Sequence, residues 1–123
     1  MEPKQKFTIR SRLRSFVYAW QGICRFITEE HNARIHAVAT IIVIAAARIF
    51  EVSRMEWIAL IGVIGLVWMA EMLNTCIERL ADMVTLEQHP QIKYIKDLAA
   101  GAVLVAAAVA VATGLIIFIP RIL

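Results

Sequence analysis

The chain has 123 residues, of which 60% are apolar and 19% are charged, and its formal net charge is +3. Soluble domains average about 45–50% apolar and about 25% charged residues, so this composition is typical of a protein that lies in lipid. The length allows one domain, the long apolar runs exclude a disordered chain, and the two widely separated cysteines form no CxxC metal or redox motif. The sequence therefore predicts an integral membrane protein.

The first predicted element is an amphipathic helix over residues 11–28. At about 100° per residue, its apolar side chains fall within an arc of about 120°. These side chains are Leu13, Phe16, Val17, Trp20, Ile23, Cys24 and Ile27, and the arc is flanked by Arg12, Arg14, Gln21 and Arg25. A tryptophan on the apolar face with arginines beside it is typical of a helix in the membrane interface. We therefore expect this helix to lie on the membrane surface.

Three transmembrane helices are predicted next, over residues 33–50, 56–78 and 97–119. A spanning helix needs roughly 20 mostly apolar residues. The first run is the shortest, and Arg48 near its end can reach the interface with its long side chain. The second contains Glu71 as its one charge between Trp57 and Ile77, and the third is uncharged from residue 98 to residue 120. We expect an all-α membrane protein with a single domain over residues 1–123.

The basic residues lie mostly on one side of these spans. Several precede the first span and others lie between the second and third, whereas the opposite side holds Arg48, Arg54 and Arg121. The positive-inside rule then places the N-terminus and the 79–97 loop in the cytosol and the C-terminus outside.

A polar stripe in the second span is the candidate for chemistry. Glu71, Asn74 and Glu78 have the spacing i, i+3 and i+7, which places them within about 60° on one helix face. Such groups are costly in hydrocarbon, so a purely structural role, such as a bond from Glu71 to another helix, does not account for all three. Glu78 is expected at the cytosolic boundary, with Glu71 roughly 10 Å deeper.

Two carboxylates at different depths suit phosphoryl transfer to an alcohol in the membrane. The deeper one can act as a general base, and the shallower one can hold Mg²⁺ together with phosphate oxygens. Further charges are predicted at the same membrane face, namely Glu29, Glu30, Lys96 and Asp97. The chain has no GxxxxGK[ST] motif and no kinase-type glycine loop, so its phosphates would be held by side chains and metal.

Three ordered motifs resemble the prokaryotic diacylglycerol kinase family. Residues 71–78 read Glu-Met-Leu-Asn-Thr-Cys-Ile-Glu and resemble the family's E-x-L-N-[ST]-x-I-E motif. Residues 95–103 resemble its segment that begins with Lys-Asp and ends with Ala-Val, and residues 30–34 its E-x-x-x-R segment. The resemblance covers about residues 12–119. It implies a homotrimeric enzyme of the bacterial inner membrane that transfers the ATP γ-phosphate to a lipid hydroxyl, with sites shared between subunits.

The resemblance also implies a role for each matching residue. Glu71 would be the general base, Asn74 would orient the base or the phosphates, and the Mg²⁺ ligands would be Glu30 and Glu78. The other expected ATP contacts are Tyr18, Glu87, Gln88, His89, Lys96 and Asp97, and the lipid substrate would meet Glu71 and Ala100. An N-terminal arginine is also expected at ATP, but the shifted spacing leaves Arg12 and Arg14 as alternatives.

One departure from the family concerns the lipid. Proteobacterial diacylglycerol kinases have a carboxylate where this chain has His36, and residues 29–36 look closer to the undecaprenol kinase branch. Undecaprenol is therefore the favoured substrate, with diacylglycerol second. The main alternative is a small multidrug or proton-coupled transporter that uses Glu71 as a proton site, which leaves the other charged residues without roles.

Overall fold

The computed structural model describes residues 6–123, which form four α-helices. These are α1 (Ile9–Glu29), α2 (His31–Ile49), α3 (Arg54–Val84) and α4 (Pro90–Ile122). The last three are long and apolar enough to cross a membrane. The predicted all-α class with three candidate spans is confirmed.

The helices are longer than the predicted segments. α3 continues to Val84 and α4 begins at Pro90, so residues 85–89 alone connect them, and the predicted 79–97 loop is wrong at both ends. Both helices continue as polar turns beyond their apolar stretches, because backbone hydrogen bonding can extend a helix past the part that lies in hydrocarbon. Pro120 lies inside the final turn of α4, which continues to Ile122.

A single residue joins α1 to α2. Glu30 has extended backbone angles (φ −96°, ψ 123°) and is both the C-cap of α1 and the N-cap of α2. The guanidinium of Arg34 donates to the backbone carbonyls of Ile27 and Thr28, which are exposed at the end of α1. These bonds satisfy carbonyls that have no partner within their own helix. The junction is therefore a fixed bend rather than a free linker.

A Schellman motif ends α2 and turns the chain into α3. Val52 donates its backbone N–H to the carbonyl of Ala47 over 3.2 Å, and Glu51 donates to the carbonyl of Arg48 over 3.3 Å. Glu51 has a φ of 51°, the left-handed conformation that this motif requires at the position after the helix. Ser53 then caps α3, and its side chain accepts from the backbone N–H of Glu56.

A cluster of buried apolar residues lies where this turn meets the end of α4. Leu60 and Ile117 pack with Ala47 and Val52, and Trp57 covers the cluster. We call this the hairpin end. The opposite end, which contains the α1–α2 junction and residues 85–89, is called the loop end.

Ionic contacts also close the hairpin end. Arg121 forms an ion pair with Glu56 and donates to the backbone carbonyl of Phe50. The ring of Phe50 lies 6.0 Å from that of Phe118 between centroids. Between the two ends α4 packs along α3 at small buried residues such as Ala99 and Ala106.

Candidate functional site

Glu71 is the one charged residue that is buried within residues 6–123, with 6% of its surface exposed. Its Oε1 lies 2.9 Å from Nε2 of His36, whose side chain is 24% exposed. The contact joins α3 to α2. A buried carboxylate is costly unless it is paired or hydrogen-bonded, so His36 compensates part of the cost of burying Glu71.

A second hydrogen bond joins the same two helices one turn away. Trp68 Nε1 donates to Thr40 Oγ1 over 2.9 Å, and that hydroxyl donates to the backbone carbonyl of His36 over 2.7 Å. The ring of Trp68 also meets the ring of Phe26 edge-to-face, with 6.2 Å between centroids. α1, α2 and α3 are thus held together beside Glu71.

Asn74 faces another direction from Glu71. Its side-chain oxygen is buried without a hydrogen-bond partner among the described residues. Asn74 lines a cavity of about 360 Å³ between α3 and α4, whose other walls include Leu73, Ala99 and Ala102. The predicted polar stripe is therefore divided, because Glu71 contacts α2 whereas Asn74 faces the side of α4.

Arg79 holds the carboxylates at the α1–α2 junction. Its Nη2 lies 2.6 Å from Glu30 Oε1 and 3.0 Å from Glu29 Oε2. Arg25 adds a bond of 2.8 Å to Glu29. The hydrogen bonds from Arg25 and then from Arg79 hold the pKa of Glu29 below its ordinary value. Glu30, a predicted metal ligand, is thus engaged by a cation of the chain itself.

Five residues predicted to contact ATP line one cavity at the loop end. This cavity has a volume of about 520 Å³ and is formed by residues 85–89 and the first turns of α4. The five residues are Glu87, Gln88, His89, Lys96 and Asp97. His89 also caps α4, because its Nδ1 accepts from the backbone N–H of Gln91 over 3.1 Å.

Lys96 is paired with an acid that is not among the predicted site residues. Its Nζ lies 2.5 Å from Asp82 Oδ1 on α3. Asp82 follows Glu71 by three helical turns on the same face of α3, about 16 Å further along the axis, and Glu78 lies between them on that face. A line of three acids therefore runs along α3 from the buried Glu71 towards the loop cavity.

The remaining predicted residues lie apart from this cavity and from the pair of His36 and Glu71. Tyr18 is exposed on α1 with 61% of its surface accessible, and Ala100 is exposed on α4. Glu78 is exposed on α3. Arg12 stacks on the ring of Phe7 at 5.3 Å from its centroid, and Arg14 has no such aromatic partner within residues 6–123.

The metal ligands predicted by resemblance are not gathered into a cluster. Within residues 6–123, no group of three or more histidine, cysteine or acidic side chains could hold a metal ion. Magnesium usually takes one or two protein carboxylates and completes its shell with phosphate oxygens and water. The carboxylates of Glu30 and Glu78 are suitable ligands for such a site, although the carboxylate of Glu30 is paired with Arg79 in this structure.

An apolar groove begins beside the buried acid. It has a volume of about 450 Å³, runs between α2, α3 and α4, and has His36 at one end and Phe118 near the other. Small residues of α4, including Ala110 and Gly114, form its floor. The groove therefore runs from the pair of His36 and Glu71 towards the hairpin end.

A model of the prokaryotic diacylglycerol kinase family matches residues 17–118. The chain belongs to this family. The match covers α2 and α3 completely and most of α1 and α4. It identifies the chain as a lipid kinase, and the transporter alternative is not favoured.

Curated relatives agree with this assignment and favour one branch. The undecaprenol kinase of Bacillus subtilis is 40% identical over 108 residues, which is 88% of this chain and 88% of that protein. The diacylglycerol kinase of Synechocystis is 38% identical over 89% of this chain and 63% of its own length. The diacylglycerol kinase of Escherichia coli K12 is 32% identical over 78% of this chain and 79% of its own. The expected relationship to the undecaprenol kinase branch is supported.

Proposed function

We propose that this lipid kinase transfers the γ-phosphate of ATP to the hydroxyl of a membrane polyprenol, with undecaprenol favoured over diacylglycerol. The observation that carries the reaction is Glu71, a buried acid in an apolar helix with one carboxylate oxygen bonded to His36. The 40% identity to a protein named undecaprenol kinase favours the polyprenol.

Glu71 would act as the general base. Its free carboxylate oxygen takes the proton of the lipid hydroxyl while that hydroxyl oxygen bonds to the γ-phosphorus. The bond from the γ-phosphorus to the bridging oxygen breaks, and ADP leaves with that oxygen. A base must lie within hydrogen-bonding reach of the proton that it removes, so the lipid headgroup has to enter beside α2 and α3.

The groove provides a path for the hydrocarbon chain. Its lining is mostly apolar, and it ends at His36, next to the proposed base. A polyprenol whose hydroxyl meets Glu71 would therefore extend its chain along α4 towards the hairpin end. The exposed position of Ala100 lies outside this lining, so its proposed substrate contact would need a different part of the lipid.

The nucleotide would bind at the loop end. The cavity of residues 85–97 supplies Lys96 as a cation for phosphates. From its partner Asp82, the line of acids on α3 continues through Glu78 to Glu71, the proposed base. Asn74 would be the orienting residue: its buried side-chain oxygen, one turn from Glu71, has no hydrogen-bond partner within residues 6–123. Tyr18 and one of Arg12 and Arg14 remain candidates for the other ATP contacts.

Magnesium would accompany ATP and neutralise its phosphate charge, with Glu30 and Glu78 as the carboxylate ligands. We further propose a homotrimer in the bacterial inner membrane, with the loop end in the cytosol. Exposed apolar side chains on one face of α1, including Leu13, Phe16 and Trp20, support a position of that helix on the cytosolic membrane surface. Together these assignments place ATP on the side where it is available.

The decisive test replaces the base in the purified, detergent-solubilised protein. Glu71→Gln keeps the shape of the side chain and removes its ability to take a proton. We expect phosphate transfer from Mg-ATP to undecaprenol to fall by about a thousandfold or more, while ATP affinity stays within about twofold. Turnover by radiolabel transfer and ATP binding by calorimetry measure the two quantities.

Two results would contradict the proposal. If the folded wild-type protein phosphorylates neither undecaprenol nor diacylglycerol, the proposed reaction is wrong. If Glu71→Gln abolishes ATP binding instead of turnover, Glu71 belongs to the nucleotide site and is not the base. Parallel kinetics with the two lipids decide which alcohol is preferred.

A further inference from the structure

His36 is the one side chain that the structure bonds to the carboxylate of Glu71. Its Nε2 meets Oε1 at 2.9 Å, and no other hydrogen bond to this carboxylate forms within the described residues. When Nε2 carries the hydrogen, it donates to Oε1 and leaves Oε2 with free lone pairs. The imidazole therefore determines which carboxylate oxygen is available to a substrate.

A second contact between α2 and α3 lies next to the backbone of His36 and does not involve its imidazole. The backbone carbonyl of His36 accepts the Thr40 hydroxyl over 2.7 Å, and the same hydroxyl accepts from Trp68 Nε1 over 2.9 Å. The imidazole also lines the polar end of the apolar groove. His36 thus lies between a fixed helix contact and the place where a lipid hydroxyl would arrive.

We propose that His36 is a positioning residue for the base: its Nε2–H holds Oε1 of Glu71 so that Oε2 faces the acceptor hydroxyl. This inference rests on the proposed function and deepens it. A glutamate side chain has several rotamers, and a single hydrogen bond that selects one of them raises the fraction of molecules in a reactive geometry. Losing it lowers the rate of the chemical step without removing any contact to ATP.

The competing explanation is that His36 only ties α2 to α3. The chain contains a control for this, because the bond from Trp68 to Thr40 joins the same helices one turn away and does not touch Glu71. Thr40→Val removes that bond and keeps the side-chain volume. If helix docking were all that mattered, the two losses would be similar.

The test compares His36→Leu, His36→Asn, His36→Gln and Thr40→Val in the full-length protein with Mg-ATP and undecaprenol. The amide nitrogen of glutamine lies about where Nε2 lies, whereas the amide of asparagine is one methylene shorter and does not reach Oε1. We expect the leucine and asparagine variants to lose about 10- to 100-fold in kcat, with the KM for Mg-ATP within about twofold. The glutamine variant should recover most of kcat, and Thr40→Val should lose less than about threefold.

The asparagine and glutamine variants keep the inference falsifiable if the leucine variant fails to fold, because both are polar and differ only in reach. Equal kcat for these two, or a loss in Thr40→Val as large as in His36→Asn, would overturn the positioning role. A rise in the KM for Mg-ATP with unchanged kcat would also overturn it. An inactive wild-type protein would instead refute the proposed function.

Discussion

Glu71 and Lys96 are charged side chains that differ in burial and in how they are paired. Glu71 is buried, and a bond to His36 offsets part of the cost of burying it, whereas Lys96 is 36% exposed and pairs with Asp82 at the edge of the loop cavity. Exposed ion pairs contribute only about 0.2–1 kcal/mol because water and salt screen them. The bond between Lys96 and Asp82 therefore matters for where the ammonium group lies rather than for stability.

This pairing predicts a modest effect on nucleotide binding. Asp82→Asn removes the charge that fixes Lys96 Nζ, and we expect the KM for ATP to rise between about two- and fivefold, the range that an exposed ion pair accounts for. Steady-state kinetics with varied Mg-ATP measure this change. Asp82→Glu keeps the charge and serves as the control, with a KM near the wild-type value. An unchanged KM in Asp82→Asn would show that Lys96 does not depend on Asp82.

The sequence was sufficient to select Glu71 but not its partner. Glu71 can be recognised from its own segment because it is a charged residue within an apolar run. The role of His36 depends on its contact with the neighbouring helix, which its own segment does not reveal. A signal did exist: the turn at residues 50–53 joins antiparallel helices, and both residues lie about 21–27 Å from it at helical rise. Their rotation about the helix axes could not be predicted in this way, because packing sets it.

At the scale of elements, the turn between α2 and α3 contains a residue type that its backbone does not favour. Glu51 occupies the left-handed conformation at φ 51°, where a side chain with a Cβ is strained and glycine is not. Its side chain is exposed, and no bond depends on it in the Schellman motif, which uses backbone groups.

Replacing this residue should stabilise the protein. We expect Glu51→Gly to raise the free energy of unfolding by about 0.5–1 kcal/mol without changing turnover, because the turn lies at the hairpin end. Denaturation of the detergent-solubilised protein, followed by circular dichroism, measures the gain. Glu51→Ala removes the same charge but keeps the Cβ, so it should give no such gain. Equal stabilisation by alanine would mean that the charge, and not the backbone strain, is responsible.

Helix boundaries were the weakest part of the sequence prediction. Hydropathy locates the apolar part of a helix, and α3 and α4 extend beyond it as polar turns to Val84 and from Pro90. The extension has a consequence for the site, because it brings Asp82 and Lys96 onto facing helices instead of a long loop. The sharp bend at Glu30 was also not predicted, since its bonds come from Arg34 and from Arg79 on a different helix.

For the whole molecule, the two ends differ in how they are held. The hairpin end has the buried cluster around Leu60 and Ile117, whereas the loop end combines ion pairs of exposed side chains with small buried residues such as Ala33 and Ala81. Between them lies the groove, whose floor is made of small residues of α4. This arrangement leaves the proposed substrate path open along the middle of the chain.

Filling the groove should impair use of the lipid. Ala110→Phe places a ring on the groove floor, and we expect kcat/KM for undecaprenol to fall by about tenfold or more, while the KM for Mg-ATP stays unchanged. Ala112→Phe adds the same bulk at an exposed alanine of α4 outside the groove lining and is the matched control. Chemical crosslinking of both variants reports the oligomeric state. One outcome would contradict the lipid path: Ala110→Phe reduces the fraction of oligomers, while the oligomers that still form phosphorylate undecaprenol at the normal rate. The groove would then be a contact between copies of the chain.

The hairpin formed by α2 and α3 also bears on how the chain enters the bilayer during synthesis. An acidic side chain is costly to insert into hydrocarbon, and α3 alone would carry Glu71 into lipid without a partner. The Schellman turn leaves only a few residues between the helices, so they can enter as a pair with the acid already bonded to His36. The contact that we propose orients the base would then first serve to bring that base into the hydrocarbon.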